Sequence, residues 1–383
     1  MEIGVVVHGP EVDSGMAMDV LEKLKVLGNA KAVMAGTIGK TAVLDSHLED
    51  IINIRKSLKP SKCIDAFLKT KDAVILLNHG KTTDNGLIFA NIVISRIESP
   101  IVKPLIHVER PGMTDGIIVP WSEESLPLAG KLSEILELGL SAIPEKIVPI
   151  SVEDHGHRII RRVYGVHLGE KIMINGIIVG FALSEDVQII SEDGFITEIK
   201  GAKVKDHGLE KLHGYQKRIP IDLYNCWVKS GPLRGNSFSV REKNKKFKYI
   251  NFNEKKHLIP DERIKAVLID HEAEKTFELV KDAQVAVTIG DDTTDIAADI
   301  LYRLRIPVIG ITDGDIDGFS HRKLIYPGSV VIRLHPNSDD VVGKKIKDKL
   351  FNGYNHAKFD SLLSLKNNIF YISEDYSKFR KYY

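Results

Sequence analysis

Apolar positions in the first part of the chain fall in short unbroken runs separated by helical patterns. The runs Ile3–Val7, Ala32–Ala35, Ala73–Leu77, Pro104–Val108 and Gly116–Val119 are rich in valine and isoleucine and do not alternate with polar residues. That texture predicts strands buried on both faces. Between them, Ser14–Leu27 sets Met16, Val20, Leu21, Leu24 and Leu27 on one face, behind Asp13 or Ser14 as N-cap. Gly86–Ile97 repeats the period through Leu87, Ala90, Ile94 and Ile97, and Leu126–Leu138 predicts a last helix. Strand–helix alternation of this kind implies a parallel sheet covered by helices, in a Rossmann-like or flavodoxin-like order.

The pattern changes after Pro149. Lys171–Ile174 runs into Asn175-Gly176, while Val187–Ile190 and Phe195–Lys200 flank Asp193-Gly194, and both dipeptides are hairpin signals. Arg241–Lys256 is basic and polar and reads as a linker. Alternation then returns, with strands at Ala266–Ile269, Val285–Ile289, Val308–Ile311 and Ser329–Leu334 and helices at Ala273–Lys281 and Thr293–Leu304. Residues 336–383 read as helix and peripheral tail. The expected fold class is therefore α/β. Two Rossmann-like or flavodoxin-like parallel-sheet units, 1–148 and 261–383, flank a β-rich middle domain with a basic linker at 149–260.

Length and charge narrow the picture. At 383 residues the chain exceeds one ordinary domain, since domains usually run to about 100–200 residues. Lysine plus arginine, 53, almost cancels aspartate plus glutamate, 52, which excludes a global field for nucleic acid or membrane. Only Cys63 and Cys226 are present, so neither a disulfide scaffold nor a cysteine-rich zinc site is expected. With no long apolar run and no basic leader before the first strand, a cytoplasmic protein without membrane partners is expected. The run Lys243–Lys248 lacks an aromatic platform and reads as a solvated loop, so no nucleic-acid partner is expected; self-association stays open.

Candidate chemistry lies in the loops after the strands, where ligands bind in open parallel sheets. Four such loops are His8-Gly9-Pro10-Glu11, Gly36–Thr41, Asn78–Thr83 and Glu109-Arg110-Pro111-Gly112. Glycine lets backbone amides approach an anion and lysine supplies countercharge. On that ground Gly36, Thr37, Gly39, Lys40, Thr41, His79, Gly80 and Lys81 are candidate phosphate or carboxylate binders. The Gly36–Thr41 loop resembles the end of a P-loop, with Met34 where the first glycine belongs. The plainer account is that these glycines make tight strand-to-helix turns.

In the last third, Gly290-Asp291-Asp292-Thr293-Thr294 and the T-D-G-D-I-D-G run at 312–318 put carboxylates at neighbouring strand ends. Crowded carboxylates repel unless solvated, protonated or bridged by a cation, and hard oxygen ligands suit magnesium. Asp291, Asp292, Asp313, Asp315, Asp317 and Glu272 are the candidate ligands, with Gly290, Thr293 and Thr294 placed to donate to a phosphate. Helix capping and a solvated turn are the competing structural account. Asp154-His155-Gly156-His157 reads as a polar turn, and His167, His207 and His213 as surface or packing residues. No catalytic base or nucleophile stands out.

The order of strand ends here is similar to the toprim module of topoisomerases and primases, and the 312–318 run resembles the T-D-x-D-x-D-G segment of type II topoisomerases. Where that module carries glutamate followed by glycine, this chain has Asp270-His271-Glu272-Ala273. More of the chain resembles a methanogen-associated archaeal family of unknown function. The resemblance runs through V-V-V-H-G-P-E-V-D-S-G at 5–15, L-L-N-H-G-K-T at 76–82, G-V-H-L-G-E-K-I-M-I-N-G at 165–176 and G-D-D-T-T at 290–294. It implies a shared architecture and an archaeal cytoplasm, and carries no reaction. The functional expectation is a magnesium-dependent enzyme acting on a nucleotide or phosphorylated small molecule. The alternative is a non-catalytic ligand sensor or assembly factor.

Overall fold

Every residue of Ala73–Asn78 is buried, as its unbroken apolar run requires, and this strand lies at the heart of the first sheet. The computed structural model describes residues 1–55, 59–144, 152–214, 219–226, 228–231, 263–314 and 325–383. The chain divides into two compact units, Met1–Met173 with Ile178–Gly235, and Asn236–Tyr383 with the turn Ile174–Ile177.

The first unit opens with β1 (Glu2–Val7), α1 (Met16–Leu24), β2 (Asn29–Met34), α2 (Thr37–Asp45), β3 (Ile52–Asn53), α3 (Pro60–Thr70) and β4 (Ala73–Asn78). It continues with α4 (Thr83–Ile94), β5 (Leu105–Glu109), β6 (Ile117–Pro120), α5 (Leu126–Leu136) and β7 (Gly139–Leu140). The sheet order is β3-β2-β1-β4-β5-β6-β7. Strands β1 to β5 are parallel, whereas β6 runs antiparallel to β5. The wholly parallel sheet expected from the apolar runs is corrected at this point. The loop between β5 and β6 is too short for a crossover, which needs about a dozen residues or more, so the chain can only turn back. From β1 the chain builds outward to β2 and β3, then returns to add β4 on the other side of β1. The β1/β4 pair is thus the point where the winding reverses. On one face, Cys63, Ile64 and Leu68 of α3 and Ala90 and Val93 of α4 cover Val6, Val74, Leu76 and Leu105.

The same unit holds β8 (Val152–Asp154), β9 (Arg158–Val163), β10 (Lys171–Ile174), β11 (Ile177–Ala182), β12 (Val187–Glu192), β13 (Phe195–Lys200), β14 (Ala202–Val204), α6 (Asp206–His213) and β15 (Val228–Ser230). These strands form two sheets, β13-β12-β9-β8 and β14-β11-β10-β15. The hairpin signals fall where expected. Asn175 and Gly176 (φ 48° and 87°) turn β10 into β11, and Asp193 and Gly194 (φ 50° and 82°) turn β12 into β13.

The second unit contains β16 (Ile264–Asp270), α7 (Thr276–Leu279), β17 (Val285–Ile289), α8 (Asp291–Arg303), β18 (Val308–Thr312), β19 (Val330–Leu334), α9 (Asp339–Lys349), β20 (His356–Phe359), α10 (Leu362–Ser373) and β21 (Ser377–Tyr382). Its sheet order is β20-β16-β17-β18-β19-β21, with four parallel strands between antiparallel edges. The peripheral tail expected for the C-terminus is in fact the edge strand β21, paired with β19. Its run Ser-Lys-Phe-Arg-Lys-Tyr is almost wholly exposed; charged edge strands of this kind discourage further pairing and look like solvated tail in sequence. The basic stretch 241–256 lies outside the described residues. Among the described residues no helix is long and apolar enough to cross a membrane.

Gly4 lies mid-strand in β1 because α3 comes down on it: a Cβ there would lie 2.5 Å from Cγ of Phe67. Gly4→Ala is expected to destabilise the first unit by about 1–3 kcal/mol, the usual cost of overpacking a core. Urea denaturation of the variant checks this, and an unchanged midpoint would contradict the close approach.

Candidate functional site

The β1/β4 fork gathers polar side chains that an apolar sheet would not carry without cause. His8 follows β1 and His79 follows β4, while β5 ends in Glu109. The His8 amide donates to the Leu77 carbonyl at 2.8 Å and the Arg110 amide to the Asn78 carbonyl at 2.9 Å, which keeps the strand ends in register. Asn78 links the strands through its side chain. Its Oδ1 is 2.8 Å from His8 Nδ1, and its Nδ2 donates to Glu109 Oε2 at 2.7 Å. His107 Nε2 reaches the same oxygen at 2.8 Å, and the Gly80 amide donates to the other. The His8 ring stacks on Phe89 with centroids 4.2 Å apart. A Cβ on Gly86 would lie 2.0 Å from the Glu109 carboxyl carbon, so a glycine here lets α4 close over the carboxylate.

Beside this network, Glu11 and His79 form a second pair, Oε1 to Nδ1 at 2.9 Å. Burial, then the charge of Glu109, pushes the Glu11 carboxyl up to about 8. Burial and then Arg110 push His79 below the ordinary imidazole range. Both shifts favour the uncharged pair, an acid facing a neutral imidazole. Glu109 goes the other way. Burial alone would raise it, yet the His107 hydrogen bond and charge, with the Gly80 and Asn78 donors, hold it below the usual carboxylate range. One fork thus keeps Glu11 protonated and Glu109 ionised at neutral pH, the separation that acid–base chemistry uses.

The cations named from sequence are engaged. Lys81 Nζ meets the two Glu170 carboxylate oxygens at 2.7 and 2.6 Å and also donates to the Gly165 carbonyl. Arg110 Nε lies 3.0 Å from Asp115, and its Nη1 donates to the Gly80 and Lys81 carbonyls at 2.7 and 3.0 Å. Lys40 and Thr41 are buried in α2, which starts after Gly36 (φ 83°). Gly39 serves packing, since a Cβ there would meet the Met34 sulfur at 2.5 Å. Gly80 does likewise, with the Gly86 amide at 2.5 Å.

In the second unit, the candidate ligands Asp291 and Asp313 come together, joined by Asp339 at the start of α9, which sequence reasoning did not single out. One carboxylate oxygen from each lies within 4.8 Å of the others. Asp291 Oδ2 accepts from the Asp313 and Gly314 amides at 3.1 and 3.0 Å, and its Oδ1 from Arg333 at 2.9 Å. Burial still pushes the Asp291 carboxyl up. Asp313 Oδ2 accepts from the Asn337 amide at 2.7 Å. His271, Asp339 and Asp340 form a second close group, with His271 Nδ1 held by Asp270 at 2.8 Å. Asp292 belongs to neither group, and Glu272 instead pairs with Lys275. Gly290 precedes α8 with φ 97°, and Thr293 and Thr294 are buried in that helix, with Thr294 Oγ1 2.8 Å from Thr288 Oγ1. Asp315, Asp317 and the side chain of Thr37 lie outside the described residues.

A family model described as an uncharacterized protein conserved in archaea (DUF2117) matches residues 5–354. The chain belongs to this family. It is 37% identical over 355 residues to the uncharacterized protein MJ0065 of Methanocaldococcus jannaschii, covering 91% of this chain and 92% of that relative. No solved structure matches. The family match spans both the β1/β4 fork and the acidic strand ends of the second unit, so both sites belong to the family's segment of the chain.

Sequence reasoning placed Glu11 and Glu109 in strand-end loops without giving either a role. The available signal was His107 and Glu109 two residues apart in an otherwise apolar strand, hence on one buried face. The raised Glu11 carboxyl makes a signed prediction. In the folded state it keeps its proton between about 4.5 and about 8, so its contribution is fully present below 4.5 and lost as pH rises toward 8. Relative to Glu11→Gln, the native chain should lose up to about 1.4 kcal/mol per pH unit across that window. Urea melts of both proteins at several pH values check it, and parallel curves would contradict it.

Proposed function

We propose that this protein is an enzyme that moves a proton on a small polar molecule bound at the β1/β4 fork. The observation carrying the proposal is the uncharged Glu11–His79 pair beside the ionised Glu109, at the sheet position where open α/β folds bind ligands. A carboxyl near 8 can give or take a proton at neutral pH, and the imidazole bonded to it can relay that proton. Glu109 acts through position: its charge helps to keep Glu11 protonated, and its grip on the Gly80 amide holds the loop that carries His79. The glycine-rich loops support a nucleotide or other phosphorylated molecule as substrate class.

Solvent exchange tests this without knowing the substrate. The full chain, incubated in heavy water with a panel of nucleotides and phosphorylated metabolites, should convert or deuterate at least one of them. Glu11→Gln and His79→Gln should each slow that by about 10²–10⁴-fold, the usual weight of general acid–base catalysis. A ligand retained unchanged, with no exchange in any mixture, would mark a non-catalytic binding protein and end the proposal.

A second reading is favoured by the Asp291–Asp313–Asp339 cluster, whose three oxygens have a spacing that suits a hard cation. Magnesium there would neutralise phosphate charge and orient a reacting oxygen, with those three carboxylates as its holders. Manganese as a spectroscopic substitute should bind the native chain and be lost from Asp339→Asn. Equal binding by the variant would remove this reading.

A further inference from the structure

Lys81 and Arg110 are engaged by carboxylates and carbonyls, but among the described residues Lys229 is not. It projects from β15, next to Ser230, whose Oγ donates to the Gly165 carbonyl at 3.2 Å. On its other side, a Cβ on Gly231 would lie 3.4 Å from Lys81 Nζ and 3.0 Å from Glu170 Oε1. β15 therefore runs beside the Lys81–Glu170 clasp, and both Lys81 and Glu170 act electrostatically on Lys229. The same ammonium acts electrostatically on His8, at the end of β1. Among the described residues Lys229 has no hydrogen-bond or ion-pair partner, and it is half-buried. Among the described residues, two ammonium groups thus share one carboxylate beside the loop that follows β4.

We infer that Lys229 receives a small oxyanion, the phosphate or carboxylate group of the molecule held at the β1/β4 fork. The inference rests on the proton-transfer reading and adds a substrate class to it. A partly desolvated ammonium gains most from a charged acceptor, because the hydrogen bond then forms where little water competes. Burial and the neighbouring Lys81 hold the Lys229 ammonium below the ordinary lysine range, and Glu170 offsets this only in part. Lys81 is already neutralised by Glu170 and serves to fix the frame. A small oxyanion arriving at Lys229 would stand near His8 and leave the Glu11–His79 pair free to act on the rest of the molecule.

The test uses inorganic phosphate and acetate as probes on the full chain, against chloride at equal ionic strength. Each probe is read by thermal melting and by trace acetylation of lysines followed by peptide mass spectrometry. At least one probe should raise the melting temperature and slow acetylation of Lys229 selectively. Lys229→Gln should weaken that probe by about tenfold or more, the loss of one charge-assisted hydrogen bond, while Lys229→Arg retains it. Should the glutamine variant not fold, protection of Lys229 in the native chain decides alone. No response to either oxyanion, or equal response in Lys229→Gln, overturns the inference. The two proposals fail separately. Loss of oxyanion binding leaves the pH behaviour of Glu11 untouched, and an ordinary Glu11 titration leaves the oxyanion response untouched.

Discussion

A carboxylate buried at a strand end must find donors or lose its charge, and Glu109 finds three. His107 comes from its own strand, Asn78 from the end of β4, and the Gly80 amide from the loop that follows. An ionised carboxylate without such partners would cost several kcal/mol, so the end of β4 and the start of the α4 loop are drawn to fixed positions around it. Gly86 is the steric counterpart of that arrangement, since any side chain there would occupy the space of the carboxyl group. The charge then reaches outward. It is the second cause, after burial, of the raised Glu11 carboxyl, and it acts on His79 in the opposite sense to Arg110. One satisfied buried charge thus orders the loop after β4 and, with burial, helps to keep Glu11 protonated.

Among the described residues, the cations around the fork divide into those that hold structure and Lys229, which makes no hydrogen bond or ion pair. Arg110 ties the Gly80–Lys81 backbone to Asp115, and it sits at φ 51°, a left-handed conformation that this fixed geometry sustains. Lys81 reaches across to Glu170, just before β10, and to the Gly165 carbonyl, which binds the β-rich part of the first unit to the end of β4. Glu170 is held below the usual carboxylate range: burial opposes this, but the Lys81 hydrogen bond and the His167 amide outweigh it. The pair is partly buried on both sides, so its geometry counts for more than that of an exposed ion pair. Lys229, on the neighbouring strand, is left over from this arithmetic of charges.

The second unit reaches a comparable concentration of polar groups by a different route. Its four parallel strands are wound in simple sequence, without a reversal, and its acidic residues stand at the strand ends and at the starts of α8 and α9. Asp291 is partly committed to structure by Arg333 and two backbone amides. A Cβ on Gly314 would meet the Arg333 guanidinium at 2.6 Å, so Gly314 packs as closely on that arginine as the carboxylate does. His271, at φ 55°, is anchored by Asp270 and faces Asp340 at 3.5 Å. Charge at these strand ends is thus balanced by amides, arginine and imidazole.

Much of the architecture was legible in the chain. Buried strands announce themselves by unbroken valine and isoleucine runs, and Asn175-Gly176 and Asp193-Gly194 mark hairpins because those positions need positive φ. The strand-end loops also followed from alternation alone, which brought His79, Gly80, Asp291 and Asp313 into view. The antiparallel β6, the edge strand β21 and the helix α6 were not legible, because pairing partners and edge status are properties of the sheet and not of the segment. The roles of the site residues were hidden for a related reason. Lys40 and Lys81 look alike in sequence, yet one is buried in α2 and the other is clasped by a glutamate from a distant segment. Glu11 and Glu109 are the same amino acid with opposite protonation, and Asp339 joins Asp291 and Asp313 only through the packing of α9. Local pattern depends on neighbours a few residues away, whereas charge state and ligand grouping depend on which distant groups share a buried volume, and only the tertiary structure decides that.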